Sequence, residues 1–259
     1  MKIGAFLMHL LFPPTCRGCG ERFDIFSNPD PLPLCSGCLA RWATAKTASC
    51  VLCGEAIGTC HCMPTMLREA GCAALVKAVG YHPSEKCLPE GLILRCKRVR
   101  DRALFRFFAA DMQLPLWQTL DQTGDTGNVV VTYIPRRPRA IAEQGVDQAC
   151  ELARALGRAL EIPTVRALKN CGREEQKLLD HAARAQNAQA ALRSYGERTK
   201  RAVEGKTVIL TDDITTAGAT LAVATRLLLS AGAQRVICCV VGVTVTDVAE
   251  KNPSKIRVE

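Results

Sequence analysis

The chain of 259 residues contains fifteen cysteines, and eight of them, Cys16, Cys19, Cys35, Cys38, Cys50, Cys53, Cys60 and Cys62, fall within one 47-residue stretch. Cys16-x-x-Cys19, fifteen intervening residues and Cys35-x-x-Cys38 have the spacing of two thiolate pairs that grip one tetrahedral zinc ion. A two-residue gap lets both thiolates bite from one tight turn, and Gly18 and Gly37 are expected inside these turns. Cys50-x-x-Cys53 and Cys60-His61-Cys62 form a second set, whose one-residue gap makes His61 an alternative ligand to one of the thiolates. Spacing leaves open whether the two sets bind separately or interleave. Four protein ligands leave no position for a reacting water, so the metal is expected to be structural. It would contribute on the order of 10 kcal/mol to a stretch too small for its own core. A disulfide framework belongs to secreted proteins, whereas clustered C-x-x-C pairs point to metal in a reducing compartment, so a cytoplasmic location is expected.

A second chemistry is written in the stretch from Val208 to Leu221, VILTDDITTAGATL. An apolar run ends in two adjacent carboxylates, Asp212 and Asp213, followed by Thr215, Thr216, Ala217, Gly218, Ala219 and Thr220, and then by a helical pattern. Gly218 and its small neighbours let a phosphate approach backbone N–H groups at a helix N-terminus, where the dipole favours an anion. The hydroxyls of Thr216 and Thr220 add donors. Carboxylates at the carboxyl end of a strand accept hydrogen bonds from a diol, so a sugar phosphate fits the whole stretch. Arg136, Arg137 and Arg139 follow a β-branched run, where guanidinium forks could neutralise a pyrophosphate; a solvated basic loop is the alternative.

These residues need elements to position them. Val129 to Ile134, Thr207 to Leu210 and Arg235 to Val245 read as strands; Asp147 to Leu160, Gln176 to Leu192 and Thr220 to Leu229 read as helices. Met66 to Tyr81 opens this unit as a strand or a helix. Alternating strands and helices imply an α/β fold with a mostly parallel sheet covered on both faces. The expected organisation is therefore a zinc module over residues 1–65, with a short amphipathic helix between Ile3 and Phe12, and an α/β domain over 66–259. Hydrophobic residues make up 48% and charged residues 23%, which argues against long disorder, and no apolar run reaches the roughly 18 residues of a membrane span. The net charge of +9 calls for an anionic partner, nucleic acid or a phosphorylated metabolite. Around Arg95, Lys97, Arg98, Arg100, Arg102 and Arg106, the phenylalanines 105, 107 and 108 are expected in the core beneath a solvated basic face, with a single-strand platform as the alternative.

The Asp-Asp loop resembles the phosphoribosyl-pyrophosphate (PRPP) motif of type I phosphoribosyltransferases. The resemblance implies that Asp212 and Asp213 take the ribose hydroxyls, that residues 215–220 take the 5′-phosphate, and that Mg²⁺ accompanies PRPP. Where some purine-salvage members carry a general-base Asp, this chain has Thr216, so the loop is closer to the orotate type. Upstream zinc cysteines are similar to the layout of the ComF family. Tyr133 to Arg139, Gln144-Gly145-Val146-Asp147-Gln148, Leu92 to Ala103 with its Lys97, Arg98 and Asp101, and Arg173-x-x-Gln176-x-x-Leu179 with Arg184 and Asn187 all resemble segments of that family. The chain departs from its pattern at Gln144, Val146 and Ala191. The resemblance implies a type I phosphoribosyltransferase-like fold and pentosyl transfer from PRPP, with Arg136 and Arg137 as catalytic residues beside the acid pair. It also implies a link to DNA uptake or utilisation in natural competence. The alternative is a non-catalytic PRPP-responsive module that binds single-stranded DNA or a helicase-like competence protein. No side chain stands out as the base that would activate an acceptor.

Overall fold

The structure, a computed structural model, describes residues 13–23, 32–50, 52–81, 87–124, 127–172 and 191–244. Their elements are, in chain order, Ser36–Lys46 (α1), Thr65–Glu69 (α2), Ala74–Tyr81 (β1), Leu88–Arg98 (α3), Arg102–Gln122 (α4), Val129–Tyr133 (β2), Pro138–Gln144 (α5), Gln148–Leu160 (α6), Leu168–Asn170 (β3), Leu192–Ser194 (β4), Glu197–Val203 (α7), Thr207–Thr215 (β5), Ala219–Ser230 (α8) and Arg235–Thr244 (β6). Four strands pair in parallel in the order β1-β6-β5-β2, and β3 and β4 form a separate antiparallel pair. Beyond β2 the segment around Thr164 adds one more parallel bridge, to Val131.

The strands read as continuous apolar runs because both faces of the sheet are covered. Alternation then divides the core in two. Ile209, Ile237, Cys239 and Val241 point to the face covered by α3, α4 and α6, whereas Val208, Leu210, Val236, Cys238 and Val240 point to the face carrying α2 and α8. The first of these cores also takes in Leu34, Cys38 and Trp42, so the cysteine-rich stretch packs on the α/β unit through shared apolar side chains. Phe105 and Phe108 are buried there, and Phe107 lies against them. Arg95, Lys97 and Arg100 form ion pairs with carboxylates of Asp101, Asp213 and Glu151.

Three boundaries differ from the sequence reading. Met66 to Tyr81 is both a helix and a strand, divided at Gly71, whose φ of +84° breaks the run. The strand expected to stop at Leu210 continues to Thr215, because its pairing with β6 extends through Asp212↔Val240 and Thr215↔Val243. The helix expected over Gln176 to Leu192 lies outside the described residues except at its end, where Leu192 opens β4 opposite Asn170. The helix expected between Ile3 and Phe12, and the motif residues Arg173, Gln176, Leu179, Arg184 and Asn187, also lie outside the described residues.

Candidate functional site

The eight clustered cysteines resolve into two separate groups. The thiol sulfurs of Cys16, Cys19, Cys35 and Cys38 lie within 4.8 Å of one another, and so do those of Cys50, Cys53, Cys60 and Cys62. Tetrahedral thiolates around zinc sit about 3.8 Å apart, as follows from a zinc–sulfur bond of about 2.3 Å, and Cys19 Sγ lies 3.6 Å from Cys35 Sγ. Both groups therefore fit a structural zinc ion, and they do not interleave. Cys62, and not His61, completes the second group.

Local backbone explains the geometry. Each group opens with the same C-x-x-C-G-E turn, in which the glycine after the second cysteine, Gly20 or Gly54, has a φ of +79° or +76°. Cys16 N–H donates to Glu21 O at 2.7 Å, and Cys50 N–H donates to Glu55 O at 2.7 Å. Gly18 is required for a different reason, since a Cβ there would meet Leu88 Cδ1 at 2.6 Å; Gly37, by contrast, sits in α1 with open space around it. The sequence reading placed Gly18 and Gly37 in the turns and missed Gly20 and Gly54, although the repeated C-x-x-C-G-E carries them.

Burial pushes the Cys16 thiol up, but the N–H groups of Cys19, Cys35 and Gly18 outweigh it and bring its pKa down to about 6. Cys35 N–H lies 3.2 Å from Cys16 Sγ. The second group repeats the pattern at Cys50, lowered to about 7 against burial by the N–H groups of Leu52 and Cys53. Beneath it lies Lys77 of β1, 4% exposed, whose Nζ donates to the carbonyls of Cys60 and Cys62, both at 2.8 Å.

The second assembly forms at the carboxyl ends of β2 and β5. A cavity of about 360 Å³ is lined by Ile134, Pro135, Arg136, Arg137, Ala140, Asp147, Gln148, Asn170 and Asp212. Asp147 caps α6 by accepting from Cys150 N–H at 3.3 Å and also accepts from Arg136 N–H at 3.3 Å, so the strand-end loop and the helix share one carboxylate. Arg136 Nη1 lies 3.3 Å from the carbonyls of Lys97 and Val146, which fixes this arginine between loop and helix. Asn170 ties β3 to the same loop through Pro135 O at 3.1 Å. Arg139 turns to the surface beside Glu143.

Asp212 faces the cavity, and burial, then the neighbouring Asp213 charge, push its carboxyl well above the usual carboxylate range. Asp213 Oδ2 accepts from Gln148 Nε2 at 3.3 Å and pairs with Lys97 Nζ at 3.2 Å. Thr215 is buried at the strand end, while Thr216 and Ala217 are exposed on the loop that leads into α8. Gly218 caps α8 with a φ of +81°, and a Cβ on it would lie 3.2 Å from Pro64 Cβ. Residues 216–220 flank the cavity along the chain without lining it. Sequence reasoning assigned no role to Asp147, Gln148 or Lys97, although all three lie in segments it singled out; Asn170 carried no signal, because only the β3–β4 pairing brings it to the cavity.

A four-stranded parallel sheet flanked by helices, with an acid pair ending one strand and a small-residue loop entering the next helix, is the type I phosphoribosyltransferase fold. Residues 140–255 match the family model described as phosphoribosyl transferase domain. No curated protein matches the chain in sequence. Among solved structures, the allosteric regulatory enzyme of purine biosynthesis is 24% identical, over 47% of this chain and 23% of its own, with a TM-score of 0.32. Glutamine PRPP amidotransferase from B. subtilis, complexed with ADP and GMP, is 19% identical over 58% of this chain and 26% of its own, with a TM-score of 0.33. A hypothetical protein from Neisseria gonorrhoeae with bound ppGpp is 14% identical over 70% of this chain and 78% of its own, also with a TM-score of 0.33. The chain thus spans about a quarter of the length of the first two. No helix among the described residues is long and apolar enough to cross a membrane.

Proposed function

We propose that this chain is a ComF-like, zinc-containing protein that binds Mg-PRPP at the carboxyl end of β5 and transfers its phosphoribosyl group. The observation that carries the reading is Asp212, a carboxylate near the carboxyl end of a parallel strand. It faces a 360 Å³ cavity that Arg136 and Arg137 also line, and the Gly218-capped helix follows it. In this reading the ribose hydroxyls donate to Asp212 and Asp213, and the 5′-phosphate takes N–H groups of residues 216–220 with the hydroxyls of Thr216 and Thr220. Arg137 neutralises charge on the departing pyrophosphate, and Arg136 keeps the loop in place to do so. Mg²⁺ takes oxygen ligands, and Asp212 and Asp147 are the carboxylates this cavity offers; the ion would neutralise pyrophosphate charge. The zinc ions hold their module together and take no part in the transfer.

Calorimetric titration of the zinc-loaded protein with PRPP and Mg²⁺ tests the reading, alongside Asp212→Asn/Asp213→Asn. Binding by the wild type that vanishes in the double variant supports it, and no binding by the folded wild type overturns it.

A second reading keeps the site as a PRPP sensor in a protein that holds single-stranded DNA during DNA uptake, alone or with a helicase-like partner. One observation favours it. The ring of Tyr195 has Arg166, Lys169 and Arg198 around it, with their charged groups 5.8, 5.4 and 5.3 Å from its centroid. A cationic patch with an aromatic centre suits a nucleic acid strand. PRPP that alters affinity for a single-stranded oligonucleotide without being consumed would select this reading.

A further inference from the structure

The first cysteine group and the acid pair are joined by a single helix. Between Cys16 and Cys19, Gly18 packs on Leu88, the first residue of α3, and Arg17 Nε lies 2.9 Å from Asp101 Oδ2. The same carboxylate oxygen takes Arg95 Nε, from the last turn of α3, at 3.0 Å. Asp101 has a side chain only 5% exposed, and it also caps α4 through Leu104 N–H. One buried carboxylate therefore fixes the metal-binding turn, the end of α3 and the start of α4. Two residues beyond Arg95, Lys97 pairs with Asp213 at 3.2 Å, and its carbonyl accepts from Arg136. The ends of α3 are held by the metal turn, and its last turn carries a cation into the acid pair.

We infer that Lys97 is a ligand-site residue, that Asp101 positions it through Arg95, and that PRPP affinity consequently depends on the first cysteine group. The inference rests on the PRPP reading of the site. The chemical reason is charge. Two adjacent carboxylates repel a polyanionic sugar phosphate, and an ammonium on the outer oxygen of Asp213 offsets one of them while holding that carboxylate in place. Arg17 and Arg95 together balance Asp101, so loosening the metal turn would leave a buried carboxylate with one cation and free the end of α3 to shift. The zinc module then acts as a buttress for the phosphoribosyl site through α3.

The test is PRPP and Mg²⁺ titration of the full zinc-loaded chain, with zinc content measured on every variant. Lys97→Met is expected to weaken binding about tenfold, the scale of one hydrogen bond to a charged group, and Lys97→Arg to recover part of the loss. Asp101→Asn keeps an N-cap acceptor for α4 and removes the charge that Arg17 and Arg95 share. It is expected to weaken binding several-fold with zinc retained. Combined with Lys97→Met, it should add nothing, because Asp101 acts through Lys97. If Asp101→Asn does not fold, Arg95→Gln carries the same expectation. Wild-type affinity in Asp101→Asn or Arg95→Gln, or fully additive losses in the double variant, would overturn the inference while wild-type binding keeps the PRPP reading. No binding by the wild type would remove both.

Discussion

The indole of Trp42 lies stacked on the ring of Phe108, with centroids 5.4 Å apart and planes 30° apart, while Phe107 meets the same indole edge-on. Trp42 belongs to the cysteine-rich stretch and Phe108 to α4 of the sheet unit. The indole N–H also reaches Asp111 at 3.2 Å, and Lys46 pairs with that carboxylate at 2.6 Å. The zinc-binding stretch is thus sealed to the α/β unit by an aromatic cluster with a satisfied polar edge.

Truncation of that seal should be felt across the molecule. Trp42→Ala is expected to cost about 3–5 kcal/mol, the range for emptying a buried aromatic site. Thermal unfolding followed by tryptophan-independent circular dichroism would show one transition at lower temperature. An unchanged transition for the sheet unit would mean that the two parts are energetically independent.

Lys77 brings a buried positive charge beneath the second cysteine group. Four thiolates and one Zn²⁺ carry a net charge of −2, and a buried ammonium bonded to the Cys60 and Cys62 carbonyls lies beneath them. Lys77→Met is expected to speed chelator-driven release of about half the bound zinc by roughly tenfold, the low end of effects at outer-shell metal partners. Equal effects on both sites would contradict this.

Zinc retention should fall as pH falls. Burial first, and then the neighbouring thiols, push Cys38 up to about 12, while the Cys53 thiol first and burial second push Cys62 up to about 12. Each must lose its proton to become a ligand, so binding zinc releases protons and acid reverses it. Metal release monitored with a colorimetric chelator from about pH 8 to about pH 5 checks the sign, on the scale set by free cysteine near 8.5.

Asp212 should make the ligand-free protein more stable in acid than this one group would allow at neutral pH. Its carboxyl is raised by burial, then by Asp213, so the fold prefers the protonated form. The associated stability is complete below the unfolded pKa of about 4 and is lost as pH rises through the raised value. Asp212→Asn removes that loss. Urea midpoints should therefore rise or hold at neutral pH in the variant and converge with wild type near pH 4, even as PRPP binding disappears; a variant less stable at neutral pH would refute the assignment.

Gly218 combines a left-handed backbone with a close neighbour. Gly218→Ala is expected to cost about 1 kcal/mol or more from the backbone alone. The added Cβ would also press on Pro64 at 3.2 Å and disturb the loop entering α8. Lower urea midpoints together with weaker PRPP binding are the expected result, and a neutral variant would count against both effects.

Much of this molecule was legible in residue types and spacing. Cysteine pairs with two residues between them must close tight turns, and an apolar run that leads into Asp212-Asp213 before a small-residue loop places carboxylates near the carboxyl end of a strand, which here runs on to Thr215. Helix and strand periods placed α6, α8, β2 and β6 to within a residue or two, since burial on both sheet faces repeats along each element. What could not be read were relations across the chain. Whether the cysteine pairs interleave depends on how two turns meet in space, and only the fold shows that Cys16 goes with Cys35 and Cys50 with Cys60. Asp101 is one acid in a basic stretch until packing buries it between Arg17 and Arg95, and Lys97 is one cation among six until α3 carries it to Asp213. Local chemistry sets which groups a segment offers; desolvation and distance, which arise only when distant segments pack, decide which of those groups meet.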